Sequence, residues 1–125
     1  NENMIPIMFP KEGIVVNAFY LDVGNPVACI FVENFDDTFV NSQKIGWRYI
    51  GQKLESLTEI FPEKANVVFI KNIDRNNIEI RIWERGAGET SSSGTCSIAA
   101  AVASAFTGQT ERRVFVHAEG GTTEA

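Results

Sequence analysis

The sequence predicts an α+β fold in which a curved, largely antiparallel sheet wraps around a central apolar helix. Three observations predict it. Short β-branched and aromatic runs recur at 14–19, 27–32, 66–71, 78–84 and 113–117. The run at 78–84 alternates, with Ile78, Ile80 and Ile82 on one face and Glu79, Arg81 and Trp83 on the other. Finally, residues 98–106 are small and apolar on every side, and a helix of that kind must be enclosed by protein. One flat sheet face covers only one side of a helix, so the sheet has to curve.

Each element has a local reason. Residues 1–13 are polar and punctuated by Pro6 and Pro10, and read as a lead-in or tail. Strands at 14–19 and 27–32 flank Asp22-Val23-Gly24-Asn25-Pro26, a turn in which glycine frees φ and proline fixes it. A loop at 34–38 leads to Ser42, a helix-capping residue type, and then to a helix over 43–59. Its apolar stripe is Trp47, Ile50, Leu54 and Leu57, at three- and four-residue spacing. Phe61-Pro62 ends it. Strands at 66–71 and 78–84 are joined by a polar stretch containing Asp74-Arg75-Asn76-Asn77. The small-residue helix covers 96–106 and Gly108 stops it. A last strand at 113–117 precedes a turn at Glu119-Gly120-Gly121, with no partner strand expected behind it. That ending predicts a single domain over 14–125 that continues beyond residue 125.

Composition bounds the function. At 125 residues the chain is long enough for one core and too short for two. A net charge of −5 leaves no basic patch to neutralise phosphates, so nucleic acid is not an expected partner. The longest apolar run is far shorter than the roughly 20 residues of a bilayer span, so no membrane association is expected. The start carries no signal-peptide pattern, and Cys29 and Cys96 lie in apolar or glycine-rich contexts without a disulfide framework. The expected compartment is therefore the reducing cytoplasm. The single histidine, His117, has no cysteine or carboxylate at ligand spacing, so no metal is expected.

The chemistry-bearing stretch runs from Glu84 into the apolar helix. Ser91, Ser92, Ser93 and Thr95 supply hydroxyls, and Gly94 lets backbone approach a ligand closely. First-turn amides near Thr95 and Ser97 present N–H groups and a positive dipole end, which suits a carboxylate or phosphate. Capping the helix is the alternative use of the same hydroxyls. Arg85 at a strand end adds a second anion-binding element, and the adjacent Glu84 suits an ammonium group or a proton-transfer role. Together they fit a zwitterionic ligand such as an amino acid.

Glu84-Arg85-Gly86-Ala87-Gly88-Glu89-Thr90, a short spacer, Gly94-Thr95 and an alanine-rich helix closely resemble the C-terminal half of the diaminopimelate epimerase family. The resemblance extends upstream to Gly24-Asn25-Pro26 and Ala65-Asn66-Val67-Val68-Phe69, and covers about residues 20–121. It implies a cofactor-independent isomerase of lysine biosynthesis that inverts an amino-acid α-carbon. It also implies a cleft between two half-domains, each a sheet wound around a helix and each supplying one cysteine. By the resemblance Asn25 and Asn66 hydrogen-bond substrate, and Glu84 and Arg85 hold its distal ammonium and carboxylate. Glu84 also assists proton transfer, while Gly94 and Thr95 grip the α-carboxylate.

Three departures stand beside these matches. The catalytic cysteine position is Ser93, an alcohol that needs its own general base. Val27 replaces the histidine that follows Asn-Pro, and the N-terminal half is absent from this sequence. Cys96 lies three residues past the reactive position, where the helix dipole can lower a thiol pKa, although packing is the stronger expectation. Cys29 reads as a buried small hydrophobe, His117 as structural, and Trp83 as lining the cleft or covering the sheet. The expected partners are a small amino-acid or carboxylate substrate and the absent N-terminal half-domain. An exposed cleft face adds a homodimer to them. Beside the isomerase stand two alternatives: a non-catalytic amino-acid or carboxylate binding protein, and a one-base isomerase of another carboxylate, resembling aconitate isomerases.

Overall fold

In the computed structural model, the described residues are 4–11, 13–36, 46–55, 65–84, 86–91 and 93–125. In chain order the elements are β1 (Met4–Phe9), β2 (Ile14–Asp22), β3 (Pro26–Phe31), α1 (Trp47–Glu55) and β4 (Asn66–Asp74). They are followed by β5 (Asn77–Glu84), β6 (Gly88–Thr90), α2 (Gly94–Phe106), β7 (Phe115–Ala118) and β8 (Gly121–Glu124). The eight strands form one mixed sheet in the order β1-β2-β3-β4-β5-β7-β8, with β6 also pairing β5. β3 and β4 are parallel, as are β5 and β7; the other pairings are antiparallel.

The connections explain where the helices sit. α1 lies in the crossover from β3 to β4, and α2 in the crossover from β5 to β7. Both crossovers step the same way along the sheet, but β5 runs opposite to β3. Crossovers of one hand must then place their helices on opposite faces. The cores agree. α1 buries Trp47, Ile50 and Leu54 with Ala28, Ile30, Val67 and Phe69 on one face. α2 buries Cys96, Ala99, Ala100 and Ala103 with Val27, Cys29, Val68, Ile78, Ile80 and Ile82 on the other. Each fully buried Val or Ile contributes about 1.5–3 kcal/mol of transfer free energy, so a one-residue register slip in β4 or β5 is strongly disfavoured.

Several sequence expectations change in detail. Met4–Phe9, read as a lead-in, pairs with β2, because Ile7 and Phe9 face the α1 core where the pattern had been masked by Pro6. Gly121–Glu124 is a strand paired with β7, so the Gly-Gly turn does have a partner behind it. Gly88–Thr90 folds back on β5 as a short strand that its glycine content concealed. α2 starts at Gly94, two residues before the expected start, because Ser93 takes the capping position. The expected cap Ser42, Leu57 and Phe61-Pro62 lie outside the described residues.

The sheet covers one side of α2. Along its other side Ile98, Val102 and Phe106 are about half exposed or more, at 52%, 44% and 64%. With Ala101, Ala105, Arg112 and Ala125 they line an open apolar groove of about 520 Å³. Phe106 is held at one end by Phe19, with ring centroids 5.5 Å apart.

Candidate functional site

The leading end of α2 is open. Ser93 is extended, at φ −162° and ψ 122°, and its Oγ accepts a hydrogen bond from Cys96 N at 3.2 Å. No acidic residue occupies the first turn, so the positive end of the helix dipole is not neutralised from within. A Cβ built on the exposed Gly94 would meet nothing within 4 Å. A cavity of about 320 Å³ lies there, lined by Ser93, Gly94, Ser97, Gly120, Thr122 and Thr123, with Ala118 and Gly121 completing its wall. The Gly120 N–H donates to the Ser91 carbonyl at 2.7 Å, which ties the β7–β8 turn to the loop ahead of the helix. The cavity therefore combines helix-terminal amides with hydroxyls, a chemistry suited to a carboxylate.

Register brings the sheet residues to the same end of the molecule. Val27 on β3 lies beside Asn66 on β4, and Val67 lies beside Trp83 on β5, so Glu84 falls level with Asn66. Side chains alternate along a strand. Val27, Cys29, Val68, Ile70, Ile80 and Ile82 all face α2, which assigns Asn66 and Glu84 to that face. Asn25 precedes β3 in the turn, where its carbonyl accepts from Val23 N at 3.2 Å. That turn is shaped by Gly24 at φ +107°, a conformation that favours glycine, and closed by Gly24 N donating to Asp22 Oδ1 at 2.9 Å.

Of the residues predicted from sequence, Ser93 and Gly94 line the cavity at the helix end; Asn25, Asn66, Glu84 and Thr95 are not among its lining residues. Asn66, Glu84 and Ser93 are instead brought together around Cys96. The Cys96 thiol is within hydrogen-bonding reach of the Ser93 and Asn66 side chains and within the field of Glu84. Burial pushes that thiol up from its ordinary value and the Glu84 charge adds to the rise, against the lowering effect of Ser93 and Asn66. Cys96 is thus a fully buried thiol whose burial works against the thiolate form. Arg85 lies outside the described residues.

The remaining candidates take structural places. Cys29 is fully buried on β3, and burial, followed by the nearby Cys96, raises its pKa far above that of an exposed thiol. Asn77 donates through Nδ2 to Asp74 Oδ1 at 2.9 Å, which turns its Oδ1 toward His117 Nε2, also at 2.9 Å. The other ring nitrogen, Nδ1, lies 3.0 Å from Thr122 Oγ1, so both ring nitrogens have hydrogen-bond partners. Trp83 covers the sheet on the α1 face, edge-on to Trp47 at 6.4 Å. Among the described residues no group of three or more His, Cys, Asp or Glu is arranged to hold a metal ion. No helix among them is long and apolar enough to cross a membrane.

Sequence reasoning missed two parts of this site. One is the β7–β8 turn, whose Gly120 lines the cavity with Thr122 and Thr123 of β8; Gly120-Gly121 signalled the turn, but nothing local signalled its place. The other is Cys96 as the meeting point of Ser93, Asn66 and Glu84, which depends on a helix and two strands meeting in space.

The diaminopimelate epimerase family profile matches residues 19–125. The diaminopimelate epimerase of Methanocaldococcus jannaschii is 42% identical over 106 residues, covering 83% of this chain and 35% of that protein. That of Methanococcus maripaludis is 40% identical over 127 residues, covering 94% and 43%. That of Azotobacter vinelandii is 39% identical over 110 residues, covering 88% and 37%. The chain thus spans about 35–43% of the length of these relatives. Among solved structures, a phenazine biosynthesis protein of the PhzF family from Bacillus anthracis matches with a TM-score of 0.56 at 14% identity. That match covers 87% of this chain and 34% of the other. A Clostridium difficile protein described as a putative phenazine biosynthesis PhzC/PhzF protein matches at 0.53 and 19%, covering 87% and 37%. These structural likenesses concern the fold. With its profile match over residues 19–125 and its identities near 40%, the chain belongs to the diaminopimelate epimerase family.

Proposed function

We propose that this chain is the C-terminal, substrate-binding half of a cofactor-independent amino-acid epimerase- or racemase-like isomerase, inactive by itself. The observation that supports it most is the open amide end of α2 at Gly94, facing a cavity edged by the Ser93 hydroxyl. Removing a proton from an amino-acid α-carbon requires stabilising the charge that develops on its carboxylate, and amides fixed at a helix end provide it. In this reading Gly94 and Thr95 hold the α-carboxylate, and Asn25 and Asn66 hydrogen-bond the substrate. Glu84 and Arg85 take its distal ammonium and carboxylate. A facing half-domain outside this chain closes the cleft, and the assembled enzyme works as a homodimer in a reducing cytoplasm, where Cys29 and Cys96 stay unpaired.

Ser93 sets the chemistry. A thiol can be tuned toward a base at neutral pH, whereas an alcohol cannot without a partner that takes its proton. Proton transfer at this face is then one-sided, with Ser93 and Glu84 as the proton-handling groups. A second reading, ligand binding without turnover, is favoured by Ser93 Oγ already serving as the acceptor for Cys96 N.

Deuterium exchange separates these readings. The full-length protein is incubated in heavy water with meso-diaminopimelate and, separately, with other dicarboxylates, and α-carbon deuteration is followed by mass spectrometry. Exchange with inversion supports an epimerase, and exchange with retention supports one-base chemistry. Binding without exchange supports the non-catalytic reading. No binding of any small amino acid or carboxylate overturns the assignment of the pocket.

A further inference from the structure

Ser97 carries a hydroxyl that neither the fold nor the chemistry just described uses. It is only 5% exposed and lies on α2 three and four residues beyond Gly94 and Ser93, so it shares their side of the helix. Among the described residues nothing hydrogen-bonds its hydroxyl, and unlike Trp83 Nε1 and Ser104 Oγ that group is not sealed in. It opens on the cavity of about 320 Å³ at the helix end. A buried hydroxyl without a partner costs free energy in the unliganded fold. The side chain that Gly94 lacks leaves a way to it, since a Cβ there would stand in open space.

Thr123 lines the same cavity from the sheet. β7 and β8 pair Val116 with Thr123, and directly opposite residues of an antiparallel pair share a face. Val116 is buried against α2, so Thr123 projects from the α2 face. Thr122 projects from the other face, where its Oγ1 lies 3.0 Å from His117 Nδ1. Among the described residues nothing hydrogen-bonds the Thr123 hydroxyl either. None of the residues lining the cavity carries a charge, and the positive end of the α2 dipole there favours an anion over an ammonium group.

We propose that Ser97 and Thr123 are specificity-determining residues, whose hydroxyls donate to the carboxylate held by the amide end of α2. The inference rests on the carboxylate-binding reading of this pocket and adds the side chains that select a carboxylate. An ionised carboxylate has lone pairs for several donors, and a hydroxyl with no other acceptor rotates to meet one. Hydrogen bonds to an ionised group are also the stronger kind. The ligand thereby relieves a cost that the free chain carries at Ser97.

The test uses this chain labelled with 15N and titrated with meso-diaminopimelate. The probe without an anion is 1,5-diaminopentane, the same diamine stripped of both carboxylates. The dicarboxylate should move the backbone amides of Gly94, Ser97, Gly121 and Thr123, and the diamine should not. Ser97→Ala should weaken binding of the dicarboxylate about 10-fold, as expected for a lost hydrogen bond to a charged group. It should also leave the urea unfolding midpoint unchanged or raise it, because the free chain has no bond to that hydroxyl to lose. Thr123→Val, of the same shape, should weaken binding about threefold, and Thr123→Ser should retain the affinity. A lowered midpoint in Ser97→Ala shows its hydroxyl bonded within the fold and overturns the proposal. Equal movement of the same amides by the diamine overturns the carboxylate preference. Should the unsubstituted chain bind the dicarboxylate and both Ser97→Ala and Thr123→Val bind it equally well, the pocket reading stands and the role of the two hydroxyls falls. Should the unsubstituted chain bind neither probe, the pocket reading itself fails and takes this inference with it.

Discussion

Gly51 in α1 lies directly against Trp83 in β5: a Cβ on Gly51 would sit 2.7 Å from the indole Cγ and 2.9 Å from its Cβ and Cδ2. The close approach lets α1 settle on the sheet with Trp47 and Trp83 edge-to-face. Gly51→Ala gains helix propensity, yet it must displace a ring held between a helix and a sheet. Overpacking of this kind costs about 1–3 kcal/mol, more than the gain of about 1 kcal/mol from propensity. Urea unfolding followed by tryptophan fluorescence should show net destabilisation; an unchanged or raised midpoint contradicts the packing described.

Ser93 caps α2 through its hydroxyl, so its replacement has a structural effect apart from any chemistry. Ser93→Ala should cost about 1 kcal/mol, and Ser93→Asp should cost little or nothing because aspartate caps as well as serine. Ser93→Cys provides the functional counterpart: in the full-length protein it should raise α-carbon deuterium exchange. No gain in exchange there means that more than the thiol is missing from the proton-transfer apparatus.

Both cysteines are buried, and their pKa values are raised chiefly by that burial. Neither presents a thiolate at neutral pH. Iodoacetamide at pH 7.5 should leave Cys29 and Cys96 unmodified in the folded chain and label both in urea, as read by intact mass. Rapid native labelling of Cys96 places its thiol at the surface and contradicts the geometry of the site.

Acid weakens the fold through two exposed carboxylates. Asp74 is held below the ordinary carboxylate range by hydrogen bonds from the Asn77 side chain and the Asn76 N–H, and Glu124 by its hydrogen bond and charge pairing with Arg113. A folded-state pKa below the unfolded one means that the unfolded chain binds more protons between the two values. The stabilisation is complete above the ordinary carboxylate values near pH 4 and is lost as pH falls through the lowered ones. Urea midpoints should fall as pH drops below about 4. Asp74→Asn should make that fall shallower, and an unchanged slope counts against the Asp74 contribution.

Where local chemistry sufficed, the sequence was legible. The Ile78, Ile80, Ile82 alternation assigned the two faces of β5, and Ser93, Gly94 and the alanine run located the helix and its open end. Trp47, Ile50 and Leu54 marked the buried stripe of α1. β1 and β8 were not legible, because Pro6 and the exposed Gly121–Glu124 lack the apolar alternation that announces a strand; pairing with a neighbour makes them strands. The exposed side of α2 was hidden for a related reason: composition shows that Ile98, Val102 and Phe106 are apolar, and only the extent of the sheet decides whether they are covered.

The sequence by itself therefore determined the family, the identity of the helix whose amide end is open, and the side chains available around it. Tertiary structure decided which of them meet. It set α1 and α2 on opposite faces of the sheet, put Trp83 away from the site and placed the β7–β8 turn across from Ser93. It also brought Asn66 and Glu84 to a thiol that lies 30 and 12 residues away in the chain. The physical reason is range: capping, alternation and turn formation act over a few residues, whereas register and crossover handedness act between strands far apart in the chain.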